Sequence, residues 1–546
     1  MTKFIFSLAI ISLVFQCNII SAVFGYINKN LKDPIAKHPI PMAVVEKPID
    51  DKIKLLVTPE YLEYDPAKGT NCWVDINLAA PVYEEDDNVR APVDIVAVID
   101  RSGSMGGGKL ELVKKTLHFV VTQLTPKDRL CLIVYDDTVD LVFDLTSLTP
   151  ENKIDIEAKI DAVQTRGSTN LCGGLLKGMQ VIMSRTGVKA DVASVLLLTD
   201  GLANVGISNT EGIIQAMKDP FAHDIAGSAK REAKKPQSRA RSLISSLKGE
   251  PKEGATGGME PADLKAANEF TGTVYTFGYG SDHNATMLKD ISQAANGVYF
   301  FIDTNEKIPE SFADCLGGLL STVGQNISLK VELSNGATIT EFIAKKTPTF
   351  NANKTSAEVA LGDLQSEEQR DVLMELQLPV CSDLGADGGI LNYASITLSY
   401  FNVMSSVMET VKSDLPVPRT NTGKPKTSNP LIDKQKNRIL TMKALEDAKK
   451  KADEGKYEEG RELLMATKQQ VAISATSDEI MVQGMMDDMD DMWDGMVDSA
   501  KYNSYGKSRA VNAVQAHCEQ RSNFQAAPGK IMSYETKSKV AMKKKK

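Results

Sequence analysis

The spacing of apolar positions changes along the chain, and each change marks a different architecture. From Val93 short apolar runs alternate with amphipathic segments, the signature of an α/β domain with a largely parallel sheet. Val93 to Ile99 (VDIVAVI) reads as a buried strand. Leu110, Val113, Leu117, Val120, Val121 and Leu124 then recur at helical spacing. Arg129 to Tyr135 and Val139 to Leu145 predict strands, Glu151 to Val163 a helix, and Val192 to Leu198 another buried strand. Val274 to Phe277 and Val298 to Ile302 complete the sheet, so the domain is placed at 91–322. The stretch from Asp200 to Phe277 is far longer than the roughly thirty residues of a simple βαβ unit. Its middle, about 206–265, is rich in Lys, Arg, Ser, Gly and Pro and is expected to be an exposed, mobile insertion.

On either side the period shifts to two. Ile53 to Val57 and Trp73 to Leu78 precede the α/β domain, and short alternating runs separated by turn residues fill Ile327 to Val411. The expected unit is a β-sandwich formed by 51–90 and 323–412, with the α/β domain inserted into it. A Pro-, Thr- and Lys-rich linker is placed at 413–430, a helical region at 431–525 and a basic, soluble tail at 526–546. In that region Met481, Met485, Met486, Met489, Met492 and Met496 fall mostly on one helical face, expected to pack against neighbouring helices. The same helices offer a route to oligomerisation.

The N-terminus carries a separate signal. After Met1-Thr2-Lys3, the apolar run Phe4 to Phe15 has the length of a signal-peptide core, and Ala22 and Gly25 offer cleavage points. The competing reading extends the segment to Phe24 as an uncleaved anchor helix. Residues 1–25 are therefore a signal peptide or an anchor, and 26–50 a Pro-rich linker. A secreted or cell-surface protein is expected, with a membrane-anchored, cytosol-exposed chain as the alternative.

Composition adds mainly exclusions. The 546 residues exceed one hydrophobic core, and 42 % hydrophobic with 25 % charged residues excludes a polytopic membrane protein or a wholly disordered chain. A net charge of −8 gives no general reason to bind nucleic acid. The seven cysteines are widely scattered, which excludes zinc ribbons, RING fingers and CxxC redox sites.

The candidate chemistry lies at the carboxyl end of the first parallel strand, where ligands bind in open α/β sheets. There Asp100-Arg101-Ser102-Gly103-Ser104 places one carboxylate and two hydroxyls on a tight, glycine-rich turn. Gly167-Ser168-Thr169-Asn170 and Leu198-Thr199-Asp200-Gly201 are expected at the same edge. Asp100, Ser102, Ser104, Thr169 and Asp200 form an all-oxygen set suited to a hard cation, Mg²⁺ first, with Mn²⁺ or Ca²⁺ as alternatives. Gly103 to Lys109 (GSMGGGK) also imitates a phosphate-binding loop, but Leu110 stands where a Ser or Thr would hold Mg²⁺ beside a nucleotide.

DxSxS, GSTN and LLLTDG, in that order on alternating strands and helices, resemble the von Willebrand factor type A domain with its metal-ion-dependent adhesion site. The resemblance implies a Rossmann-like fold in which Ser102, Ser104 and Thr169 ligate the metal directly and Asp100 and Asp200 act through water or exchange with it. One coordination position would stay open for an Asp or Glu of a protein partner. A dication beside only two carboxylates is expected to keep the positive charge that attracts this third one. The overall reading is a multidomain α/β plus β plus α chain: a type A domain inserted in a β-sandwich, followed by a helical C-terminal region.

The flanks also resemble a family. Cys315-Leu-Gly-Gly-Leu-Leu-Ser321, GDLQSEEQRDVLMEL from Gly362 and DKQKNR from Asp433 are similar to the region after the type A domain in plant RING-type ubiquitin ligases of the wavy-growth group. The RING cysteines and histidines are missing here, so ligase activity is not carried over. No HExxH or GxSxG pattern occurs either. His118 reads as a packing or boundary residue and His283 as a surface-loop residue. The expectation is a non-enzymatic adhesion or scaffold protein. The alternative is a non-catalytic adaptor of a ubiquitin-ligase-like complex.

Overall fold

The computed structural model describes residues 51–82, 90–187, 189–200, 203–223, 225, 270–280, 283–302, 308–381, 384, 388–422, 426–522 and 534–545. The leader or anchor at 1–25, the linker at 26–50 and, within the insertion, residues 224 and 226–265 lie outside the described residues.

Strands β1 (Lys54–Pro59) and β2 (Thr70–Ala79) lead into β3 (Val93–Asp100), whose eight residues are all buried. With β4 (Arg129–Tyr135), β5 (Val139–Ser147), β6 (Val192–Thr199), β7 (Thr273–Tyr279) and β8 (Tyr299–Ile302), it builds a six-stranded sheet in the order β5-β4-β3-β6-β7-β8. Only the β4–β5 pair is antiparallel. The helices of this domain are α1 (Lys109–Gln123), α2 (Pro150–Asp161), α3 (Leu171–Ser184), α4 (Thr210–Met217), α5 (Ala285–Ala294) and α6 (Ile308–Leu320), and Ile95, Ala97 and Ile99 of β3 share a core with α1, α2 and α6. Val96 and Val98 face α3 and α5. A strand buried on both faces reads as an unbroken apolar run, which is why VDIVAVI lacks alternation.

The later strands are β9 (Thr322–Leu333), β10 (Thr338–Ile343), β11 (Thr349–Phe350), β12 (Ser356–Gln365), β13 (Gln369–Leu378), β14 (Gly389–Asn402) and β15 (Val407–Arg419). With β1 and β2 they form the sandwich, which pairs a four-stranded sheet of order β1-β2-β13-β10 with a five-stranded one of order β11-β12-β9-β14-β15. Because β2 pairs with β13 across the whole intervening α/β domain, the sandwich holds both ends of that domain. Cys72, Val74, Ile76 and Leu78 alternate into the sandwich core. The opposite face of the same strand lies under α7 (Pro430–Asp453), where Gln435 Nε2 donates to Asp371 at 2.7 Å and the Lys436 ammonium lies 5.2 Å from the Trp73 ring. Next come α8 (Tyr457–Ala472) and α9 (Ile480–Gly495). Met485, Met489, Met492 and Met496 are buried, the last three in the cluster that joins α9 to α7 and α8. Then α10 (Lys507–Glu519) covers the outer strand of the six-stranded sheet, and Gln515 Oε1 accepts the Tyr299 N–H at 3.1 Å. That contact uses a backbone donor which an open edge would leave exposed.

Several boundaries differ from the sequence reading. The linker expected from 413 begins later, because β15 continues to Arg419 with Leu415 and Val417 buried. Pro416 and Pro418 fit there because β15 is an edge strand, where a missing N–H costs no ladder bond. The insertion expected from 206 includes α4, capped by Asn209 and burying Ile213, Ala216 and Met217. The basic tail is partly a helix, α11 (Lys537–Lys544), whose Met542 joins the core of the α/β domain. It is held there by charge: Lys539 Nζ and Lys543 Nζ lie 3.5 and 3.1 Å from the buried Asp314 carboxylate of α6. His283 is buried, not exposed, with its Nε2 2.5 Å from the Tyr299 hydroxyl. His118 bridges α1 to α2 through Asp161 at 2.8 Å.

Between β2 and α7, Asp75 lies beside Asp371, and burial followed by the Asp371 charge pushes its carboxyl up to about 8. Lys434 and Arg438 of α7 act in the opposite direction. The folded state therefore holds a proton that the unfolded chain releases near the ordinary 3.8. The associated stability is complete below that value and is lost as pH rises to about 8. Asp75→Asn, which keeps the neutral shape, should gain stability relative to the native chain between pH 5 and 8, as measured by urea unfolding across that range.

Candidate functional site

The site is assembled where β3, β6 and the loop before α3 end together. Asp100, the last residue of β3, is fully buried. Its Oδ1 accepts the Ser102 N–H at 2.8 Å and its Oδ2 accepts the Thr199 hydroxyl at 2.7 Å. Burial pushes the Asp100 carboxyl up to about 6; hydrogen bonds from Ser102 and Thr199 oppose the rise, and the Asp200 charge adds to it. Beneath it the Tyr135 phenol, at the end of β4, is driven well above its usual range by burial and then by the Asp100 charge.

The serine hydroxyls continue the chain of oxygens. Ser102 Oγ and Ser104 Oγ lie 3.0 Å apart, and Ser104 Oγ donates to Asp200 Oδ1 at 2.9 Å. Asp100, Ser102, Ser104 and Asp200 thus form one hydrogen-bonded array across two strand ends. Thr169 is buried one loop away. Its loop is fixed to the first by Gly103 N donating to Gly167 O at 3.1 Å and Arg166 N donating to Arg101 O at 2.8 Å. Thr169 O in turn accepts the Asn204 and Val205 N–H groups at 3.1 and 3.2 Å. Asn170 caps α3 through Gly173 N. Glycine sets the close approach of that helix: a Cβ on Gly174 would lie 2.5 Å from the Tyr135 ring.

This donor set suits a hard dication: two carboxylates and two hydroxyls are joined in one array, and burial raises the Asp100 carboxyl by more than the hydrogen bonds from Ser102 and Thr199 lower it. Two carboxylates formally cancel a dication, so the positive excess expected from the sequence does not come from their number. A positive charge does stand beside the pair, on a residue that reading set aside. Lys109, the lysine of the imitation phosphate loop, places its ammonium on Asp200 Oδ2. The sequence signal was present, since a lysine follows a glycine run at the mouth of the site.

A second group missed by the sequence reading braces the rim. Asp136, just after β4, accepts Arg101 Nε at 2.7 Å, Arg166 Nε at 2.5 Å and Thr138 N at 2.8 Å. Burial works to raise its carboxyl, but these bonds outweigh burial and hold it at about 2. Its backbone oxygen also accepts the Asn170 N–H at 2.8 Å.

The family model of the von Willebrand factor type A domain matches residues 94–314. Over 299 residues the chain is 26 % identical to the E3 ubiquitin-protein ligase WAV3 of Arabidopsis thaliana, covering 54 % of this chain and 32 % of that protein. It is 32 % identical over 133 residues to inter-alpha-trypsin inhibitor heavy chain H3 of Homo sapiens, covering 23 % of this chain and 15 % of that one. The chain thus spans about a third or less of the length of these two relatives. A solved von Willebrand factor type A structure from Catenulispora acidiphila, 14 % identical, superposes with a TM-score of 0.52 over 85 % of this chain and 96 % of its own. That likeness extends the shared fold beyond the α/β domain to the sandwich and helices.

The Asp136 brace gives a local expectation. Asp136→Ala should cost about 1–3 kcal/mol, because it removes the buried acceptor shared by Arg101, Arg166 and the Thr138 N–H and leaves the two arginines only the half-exposed Asp140. Amide hydrogen exchange should quicken at 101–104 and 166–170, with the sandwich strands unchanged.

Proposed function

From a chain whose residues 94–314 form a von Willebrand factor type A domain, we infer a protein that captures an acidic residue of a protein partner through a divalent cation at the end of β3. Type A domains generally mediate protein–protein interaction. Asp100, Ser102, Ser104, Thr169 and Asp200 would hold the cation, with Mg²⁺ first and Mn²⁺ or Ca²⁺ as alternatives. When bound, the metal supplies a coordination position to an incoming Asp or Glu carboxylate. The protein does the rest. Asp100 is fixed by Ser102 N and Thr199, so its carboxylate needs no reorganisation, and the Asp136 brace holds the loops that carry Ser102 and Thr169. The observation that carries this reading is the hydrogen-bonded array of Asp100, Ser102, Ser104 and Asp200, with its buried Asp100 carboxylate.

The activity proposed is adhesion or scaffolding without catalysis, on an exported or cell-surface chain. The similarity to WAV3 favours one second reading, a non-catalytic adaptor of a ubiquitin-ligase-like complex. The sequence carries no RING cluster with which the chain could act as the ligase itself. Sequencing the mature N-terminus separates the two: a start near residue 23 or 26 belongs to an exported protein and excludes a cytosolic adaptor.

The mechanism makes a direct demand on the site. Partner capture by the full chain should be lost on adding EDTA, and equally lost in Asp100→Ala or Thr169→Ala, while circular dichroism and the melting profile remain those of a folded chain. Capture that survives both chelator and Asp100→Ala rules the mechanism out.

A further inference from the structure

Lys109 is in an unfavourable place for an ordinary helix residue. It is the first residue of α1, where the helix dipole repels a cation, and the preceding Gly108 supplies no side-chain cap. Gly107 and Gly108 both have positive φ, +70° and +106°, a conformation that other residues adopt only with strain. This backbone brings the Lys109 side chain into the crevice between the ends of β6 and β7. There its ammonium pairs with the buried Asp200 carboxylate, and a Cβ on Gly280 would lie 3.9 Å from it. The carboxylate is divided between two donors, Oδ1 taking Ser104 and Oδ2 taking Lys109. An exposed surface pair would contribute little, but this pair has a fully buried partner inside the proposed metal site.

We propose that Lys109 is a built-in counter-cation of the site: it holds Asp200 in place and, by sharing that carboxylate, weakens metal binding and leaves the loaded site in need of a carboxylate from outside. The proposal rests on the metal-dependent reading given above. Asp100 and Asp200 formally cancel a dication, and Lys109 returns one positive charge. The site therefore binds its metal loosely by itself and more tightly when a partner's Asp or Glu is present. Metal affinity and partner capture become mutually dependent, as linkage between two ligands requires.

The test compares the native full chain with Lys109→Met, which keeps length without charge, and Lys109→Arg, which keeps charge. Binding of Mn²⁺ is read from the free-ion paramagnetic resonance signal, with and without acetate as the carboxylate probe. Lys109→Met should bind Mn²⁺ at least about tenfold more tightly than the native chain, since two like charges no longer share Asp200. Lys109→Arg should stay near native. Acetate should tighten Mn²⁺ binding to the native chain more than to Lys109→Met. In EDTA the Met variant should melt below the native chain, and added Mn²⁺ should raise its melting temperature by more. Native binding of Mn²⁺ with no gain in Lys109→Met overturns this proposal alone. Absence of Mn²⁺ binding by the native chain overturns both this proposal and the metal-dependent reading.

Discussion

An ionised carboxylate at the end of a strand buried on both faces is costly, and the upper edge of the α/β domain is arranged around lowering that cost for Asp100. The backbone turns back at once, so that Ser102 N reaches Oδ1, and the neighbouring strand sends Thr199 to Oδ2. These bonds do more than satisfy one side chain. They fix the β3–α1 loop to the end of β6, and so decide where Ser104 and Asp200 meet. The residual penalty, visible in a carboxyl held at about 6, is what a bound cation would relieve. On the proposed reading, the same feature is a constraint on folding and a reason for the site to take a cation.

The second organising element is a buried network of charges where the α/β domain, the sandwich and the C-terminal segment meet. Arg521 donates through Nε and Nη2 to both oxygens of Glu368 at 2.5 and 2.8 Å, and Nη2 also reaches Asp363 O at 3.0 Å. One residue later, Ser522 Oγ donates to Asp314 at 3.2 Å, and Lys539 donates to Ser522 O at 3.2 Å. Burial raises the carboxyl of Glu368, but Arg521, followed by Arg370, outweighs it and holds the group at about 2. Buried pairs of this kind return little net stability after desolvation, yet removing one partner is severe. Their consequence here is register. A C-terminal segment docked one residue out of place would bury several charges unpaired.

How much of this was readable from the chain depends on the range of the contacts involved. The three site loops were legible because each is announced locally, by an apolar strand that stops at Asp100 or Thr199 and by a Ser-Thr-Asn cap before a helix. The pairing of strands from both sides of the α/β domain was legible because alternation survived on each. The end of the chain was misread for the opposite reason. In KSKVAMKK the charges dominate composition, and only docking on α6 gives Lys539 and Lys543 a common acceptor in Asp314. The glycine pair in Cys315-Leu-Gly-Gly was likewise silent: a Cβ on Gly317 would lie 3.0 Å from the Lys539 backbone, so the residue exists for a partner far away in sequence. Asp136 was overlooked and Lys109 was assigned to an imitation phosphate loop, because an acidic residue after a strand and a lysine after glycines have common local explanations.

The Asp100 array and the charge network at the C-terminal segment are connected through one core. Met105, in the site loop itself, is buried in the same apolar cluster as Leu316 of α6 and Met542 of α11. The helix that Lys539 and Lys543 clamp therefore packs in the core that seats the loop carrying Ser102 and Ser104. Interiors are close-packed, so a shift of α6 cannot be absorbed by empty space and must be passed to its neighbours. The C-terminal helix, which composition presents as a soluble tail, is in this sense part of the support of the site. It fixes α6 from outside, α6 and α1 share the core with Met105, and the loop between β3 and α1 takes its position from all three.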